Sequence, residues 1–132
     1  MKIMRPSKPP KPTDAELAIL RVLWERGPST VRETWEQLRA RRQTGYTTVL
    51  KLMQIMFDKG LVRRDETRRS HVYAASRSRE RTQRQIVGHL LERVFGGSAP
   101  ALAMQALAGR KATPEELAQI RRLLDDMEGG SK

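Results

Sequence analysis

Cysteine and asparagine are absent from this 132-residue chain, and phenylalanine, tyrosine and tryptophan occur only twice each. Without cysteine there is no disulfide framework, no thiolate metal site and no cysteine nucleophile, which suits a reducing cytosol. No apolar run approaches the roughly 20 residues that cross a bilayer, so no membrane insertion is expected. The first residues carry charge and proline but no apolar h-region, and they are not read as a signal peptide; a cytoplasmic protein is the expectation. Histidine is nearly absent too. His71 and His89 have no histidine partner at i+3 to i+5, so a zinc site lacks support; His71 reads as a strand residue and His89 as a helix-packing one. No GxSxG, P-loop or GxGxxG occurs, Gly96-Gly97 reads as a helix break, and Asp125-Asp126 as a solvated pair. No enzyme activity, metal or cofactor is expected.

What the chain has in excess is positive charge. Lys and Arg number 26 against 15 Asp and Glu, for a net +11 and a pI near 11.0. The excess is uneven, with net +9 on residues 1–78 and +2 on residues 79–132. That balance implies a polyanionic partner for the first part, nucleic acid before anionic membrane, and another task for the second.

Residues 1–12, MKIMRPSKPPKP, contain four prolines and four basic residues and read as a disordered basic arm. Thr13 and Glu16 form a capping box that opens a first helix, with Leu17, Leu20, Leu23 and Trp24 at helical spacing and Gly27-Pro28 as its stop. Thr30 and Glu33 open a second helix striped by Val31, Trp35 and Leu38, with Arg39, Arg41 and Arg42 in its last turn. Trp24 and Trp35 read as core anchors. After Gln43-Thr44-Gly45, a third helix spans Tyr46 to Lys59. It buries Val49, Leu52, Met53 and Met56, with Phe57 at the margin, and Gly60 is its C-cap. Leu61–Glu66 and His71–Ala75 then read as a hairpin packed by Val62, Val72 and Tyr73 and joined by a turn carrying Arg68 and Arg69. A helix followed by a basic hairpin is the layout of a winged helix-turn-helix, assigned to residues 13–78.

From Arg79 onward the pattern changes to three helices. The first presents Ile86, Val87, Leu90, Leu91, Val94 and Phe95. The second is alanine-rich, over about Pro100–Ala108. The third starts at Thr113-Pro114-Glu115-Glu116 and presents Leu117, Ile120, Leu124 and Met127. So few residues make a poor independent core, and pairing with a second copy would cover these ten side chains. The fold class is therefore mainly α with a small β-hairpin: a winged helix-turn-helix domain followed by a C-terminal helical dimerisation domain, residues 79–132.

The third helix carries groups suited to reading a major groove. Lys51 can donate to guanine and Gln54 can pair with adenine. Thr47 and Thr48 can bond a phosphate or a base edge, and Leu50 can meet a thymine methyl. Thr30, Arg42, Tyr46, Arg68 and Arg69 are assigned to the DNA backbone, which positions a protein without specifying sequence. A different reading is a basic architectural or RNA-binding protein that coats nucleic acid non-specifically, but the few aromatics offer little base stacking. A protein-interaction adaptor would not need the net +9.

Three segments, LAILRVLWERGPSTVRETWEQL, GYTTVLKLMQIMFDKGLV and RRSHVYAAS, resemble the BlaI/MecI/CopY-type, or penicillinase, repressors of bacteria, and the similarity extends over residues 13–128. The resemblance implies a homodimer on a palindromic double-stranded DNA operator, with Thr47, Thr48 and Lys51 on the recognition helix and Arg68 and Arg69 on the wing. It also implies a membrane sensor and protease system as a partner, releasing antibiotic-responsive members by cleavage at an Asn-Phe bond. This chain has no asparagine, and the corresponding region reads Leu102-Ala103-Met104-Gln105-Ala106. The cysteine cluster of copper-responsive members is missing as well, so the resemblance transfers the repressor but not its inducing signal.

Overall fold

The computed structural model describes residues 10–129; the first nine residues of the expected arm lie outside it, and Pro12 is buried beside the first helix. The elements are α1 (Asp14–Arg26), β1 (Ser29–Thr30), α2 (Val31–Leu38), α3 (Tyr46–Lys59), β2 (Val62–Asp65), β3 (Val72–Ala75), α4 (Arg79–Val94), α5 (Ala99–Gly109) and α6 (Pro114–Gly129). Two compact units divide between Val87 and Gly88, whereas the sequence pattern divides at 78/79. The first turns of α4 belong with the first unit because Thr82 is buried there.

Both capping boxes form. Thr13 N–H donates to Glu16 at 2.9 Å and Glu16 N–H to Thr13 Oγ1 at 3.2 Å. Thr30 N–H donates to Glu33 at 2.9 Å and Glu33 N–H to Thr30 Oγ1 at 3.1 Å. A terminal N–H that finds such an acceptor does not have to stay in water, so each box fixes where its helix starts. At the far end of α3, Gly60 takes the left-handed conformation at φ 83° and turns the chain into β2.

The first unit is a winged helix-turn-helix: three helices packed on a three-stranded antiparallel sheet of order β1-β3-β2. Strand β1 was not expected. Its two residues show no alternation, and Thr30 signals a helix cap, which it also is. Pairing of Ser29 with Tyr73 and of Thr30 with Val72 ties the entry of α2 to the wing, while Val62 opposite Ala75 through Asp65 opposite Val72 sets the hairpin. The core gathers Ile19, Leu20 and Leu23 of α1, Val31 and Leu38 of α2, Val49, Met53 and Met56 of α3, then Leu61, Val62 and Tyr73.

Three local expectations change. Trp24 and Trp35 are half-buried at the core's edge rather than anchors within it. Each indole keeps a backbone acceptor there, Arg77 O at 2.9 Å and Thr44 O at 2.8 Å, because a buried N–H needs a partner. Helix α2 ends at Leu38, so Arg39, Arg41 and Arg42 fall beyond its last turn. Phe95 lies just past α4, where Gly97 N–H closes on Leu91 O at 2.7 Å.

In the second unit, α5 and α6 contain no buried side chain. Val94, Leu124 and Met127 are more than half exposed, and Leu90 and Leu117 are exposed too. His89 is exposed rather than packed.

Candidate nucleic-acid interface

Helix α3 is placed by its buried face. Val49, Met53 and Met56 have no exposed area, which turns Thr47, Thr48, Lys51 and Gln54 outward, and all four are exposed. Leu50 is half-buried and packs against the core, so only part of it is open to a ligand. The N-cap of α3 is Gly45, which has no side chain to accept from the first-turn N–H groups. Those donors and the positive end of the helix dipole therefore face solvent beside the Thr47 and Thr48 hydroxyls.

The turn before α3 is fixed by Trp35. Its N–H holds Thr44 O, and the Tyr46 ring meets it edge-on at 5.9 Å and 87°. The Arg39 guanidinium lies 4.7 Å from the Trp35 ring centroid and that of Arg32 lies 5.8 Å away, within cation–π range. Tyr46 thus sits at the front of α3, about two-fifths exposed. Arg42 lines a recess with Thr44, Gly45 and Thr48 on one flank of the helix start.

On the other flank, a groove of about 380 Å³ runs between the start of α2, α3 and the wing. Thr30, Arg32, Tyr46, Leu50, Gln54, Arg69 and His71 are among its walls. The Thr30 oxygen accepts from Glu33 N–H, which leaves its hydroxyl proton and one lone pair for a ligand. The wing turn is built on Asp65, whose carboxylate accepts from Thr67 N–H at 2.9 Å and Thr67 Oγ1 at 2.7 Å. Those two bonds hold the Asp65 carboxyl below its ordinary pKa. Glu66 turns back to bond Arg64 Nε at 2.7 Å, and the Arg64 guanidinium lies 4.0 Å from the Phe57 ring centroid. Arg68 and Arg69 stay exposed at the tip.

The structure thus brings Thr30, Tyr46, Leu50, Gln54 and Arg69 to one groove, puts Arg42 on the opposite flank, and leaves Lys51, Thr47 and Arg68 outside the groove's walls. Arg32 is the groove residue that the sequence pattern passes over. Its signal was present, since it stands three residues before Trp35 on one helix, but stacking on a surface tryptophan is visible only once that tryptophan leaves the core. In the second unit, Met104, Leu107 and Leu123 add exposed apolar surface beyond the ten expected positions.

Among the described residues no cluster of three metal-ligating side chains occurs, and no helix is long and apolar enough to cross a membrane. A family model described as penicillinase repressor matches residues 12–126. The chain is 34% identical over 119 residues to the transcriptional regulator BlaI of Mycobacterium tuberculosis strain CDC 1551 / Oshkosh, covering 89% of this chain and 85% of that one. The same values hold for the transcriptional regulator BlaI of strain ATCC 25618 / H37Rv. Among solved structures, the solution structure of the Bacillus licheniformis BlaI monomeric form in complex with the blaP half-operator matches with a TM-score of 0.49 and 22% identity, over 55% of this chain and 89% of that one.

Proposed function

This chain belongs to the penicillinase repressor family, and from that premise we propose that it is a cytoplasmic, homodimeric transcriptional repressor that binds a palindromic DNA operator through α3 and the wing. The observation that carries the reading is the exposed polar face of α3, flanked by Arg42 on one side and Arg69 on the other. Lys51 donates to guanine O6 or N7, and Gln54 pairs with adenine N6 and N7. Thr47 and Thr48 bond a phosphate or a base edge at the uncapped helix start, and the open part of Leu50 meets a thymine methyl. Thr30, Arg42, Tyr46, Arg68 and Arg69 hold the sugar-phosphate backbone and set the register.

Dimerisation falls to α4 from Ile86 onward, with α5 and α6. No side chain of α5 or α6 is fully buried, and a second copy would cover Ile86, Val87, Leu90, Leu91, Val94, Phe95, Leu117, Ile120, Leu124 and Met127. A membrane sensor and protease is the release partner that the family resemblance implies. With no asparagine in the chain, any such cut falls at a bond other than Asn-Phe.

Selection of binding sites by the full chain from a pool of random DNA duplexes tests this reading. The expected result is a symmetric consensus whose half-sites lie one helical turn, about 34 Å, or a multiple of it apart. A pool that enriches no sequence would overturn it in favour of a protein that coats nucleic acid without reading it.

A further inference from the structure

Resting on the DNA-binding reading above, we infer that the groove between the start of α2 and the wing seats one run of DNA backbone, clamped by Arg32 from one wall and Arg69 from the other. The two arginines come from separate elements, and the sheet brings them together. Strand β1 leads directly into α2, and β3 leads directly out of the wing turn. Pairing of Thr30 with Val72 therefore sets Arg32, two residues after one partner, across from Arg69, three residues before the other. Both line the groove.

Charge favours an anion in this place. None of the described residues lining the groove is an aspartate or glutamate. The acids nearest in sequence are engaged elsewhere. Glu33, beside Arg32, binds Arg26 at 2.8 Å and the Thr30 N–H, and Glu66, at the start of the wing turn, binds Arg64. The larger groove between α1 and α2 differs, because Glu25 lines it among its arginines.

Arg32 is also pre-oriented. Its guanidinium stacks near Trp35, and Trp35 is held by Thr44 O and by the Tyr46 edge. Stacking restrains the side chain while leaving its planar N–H donors free for phosphate oxygens. Trp35 is thus a positioning residue for the backbone contact as well as for the turn before α3. Arg39 stacks on the same ring but is not among the groove's lining residues, so it serves as an internal control.

The test uses the full chain with two probes, a random-sequence duplex and the best duplex from the random pool, titrated at several salt concentrations. Arg32→Gln and Arg69→Gln should each lower the slope of log affinity against log salt by about 0.9, equally on both probes, and the double variant by about twice that. Arg32→Lys should keep the slope but lose affinity, having charge without the planar stack, and Arg39→Gln should keep the wild-type slope. Thermal melts of each variant check that these exposed substitutions leave the fold intact. A wild-type slope for Arg32→Gln with a lowered one for Arg69→Gln overturns the clamp and leaves the DNA reading standing. A slope lowered by Arg39→Gln as much as by Arg32→Gln also overturns it, because the contact would then lie on the outer face of α2. If neither groove variant changes the slope, and Lys51→Ala also binds both probes as the wild type does, the DNA reading falls together with the clamp.

Discussion

Lys51 and Gln54 stand three residues apart on α3, on the face opposite Val49, Met53 and Met56. Their roles separate from those of the arginines because a base edge presents a defined donor and acceptor pattern, whereas a phosphate presents only charge and acceptors. Lys51→Ala should therefore weaken binding to the selected duplex by about 1–3 kcal/mol and reduce the discrimination between selected and random duplexes. Fluorescence anisotropy on both probes reads this difference. Equal loss on the two would make Lys51 a backbone contact.

At the scale of elements, one buried carboxylate joins the two ends that set α3 against α1. Glu16 is 1% exposed, caps the first turn of α1, and accepts from Lys59 Nζ of α3 at 2.8 Å. Burial by itself would raise its pKa; the Lys59 and Thr13 bonds outweigh that and hold it below the ordinary value of 4.5. A depressed folded-state pKa means that the stabilisation is complete above the unfolded-state value and is lost as pH falls through the folded one. Glu16→Gln keeps the capping box, which accepts either residue, and removes the ion pair. It should cost about 1.5 kcal/mol at neutral pH, the low end for a bond to a charged group because Lys59 is a third exposed. The gap between variant and wild type should close as pH falls below the ordinary carboxylate value and through the lowered folded-state one, where Glu16 protonates. Urea melts from pH 3 to 7 check the sign; two parallel curves would mean that the Lys59 bond contributes no pH-dependent stability.

Over the whole molecule, charge and apolar surface are segregated. The net +9 lies on residues 1–78, and the large exposed aliphatic side chains lie mainly from Val87 onward, with Ile55 the exception on α3. Exposed apolar surface on that scale is what the proposed association would cover, and Leu124 on α6 is 53% exposed. If the proposed homodimer forms through this surface, Leu124→Asp should sediment as a monomer and weaken binding to a two-half-site duplex far more than to a single half-site. The melting of the first unit should not change, since that unit has its own core. A variant that remained dimeric would move the interface away from α6.

The capping boxes at Thr13 and Thr30, the span of α3 from Tyr46 to Lys59, the glycine stop at Gly60 and the outward face of Thr47, Thr48, Lys51 and Gln54 were all legible in the chain, because each depends on residues within a turn or two of one another. Strand β1, the edge positions of Trp24 and Trp35, and the groove that joins Arg32 to Arg69 were not. Each depends on partners far apart in sequence, with β1 pairing to β3 and Trp24 to Arg77. Local periodicity says which face of a helix is apolar; only the packed unit says whether a tryptophan reaches the middle of that core or stops at its rim. By itself, then, the sequence determined the winged helix-turn-helix and the outward polar face of α3. The tertiary structure decided which arginines line one groove, because a two-residue strand too short to announce itself holds α2 against the wing.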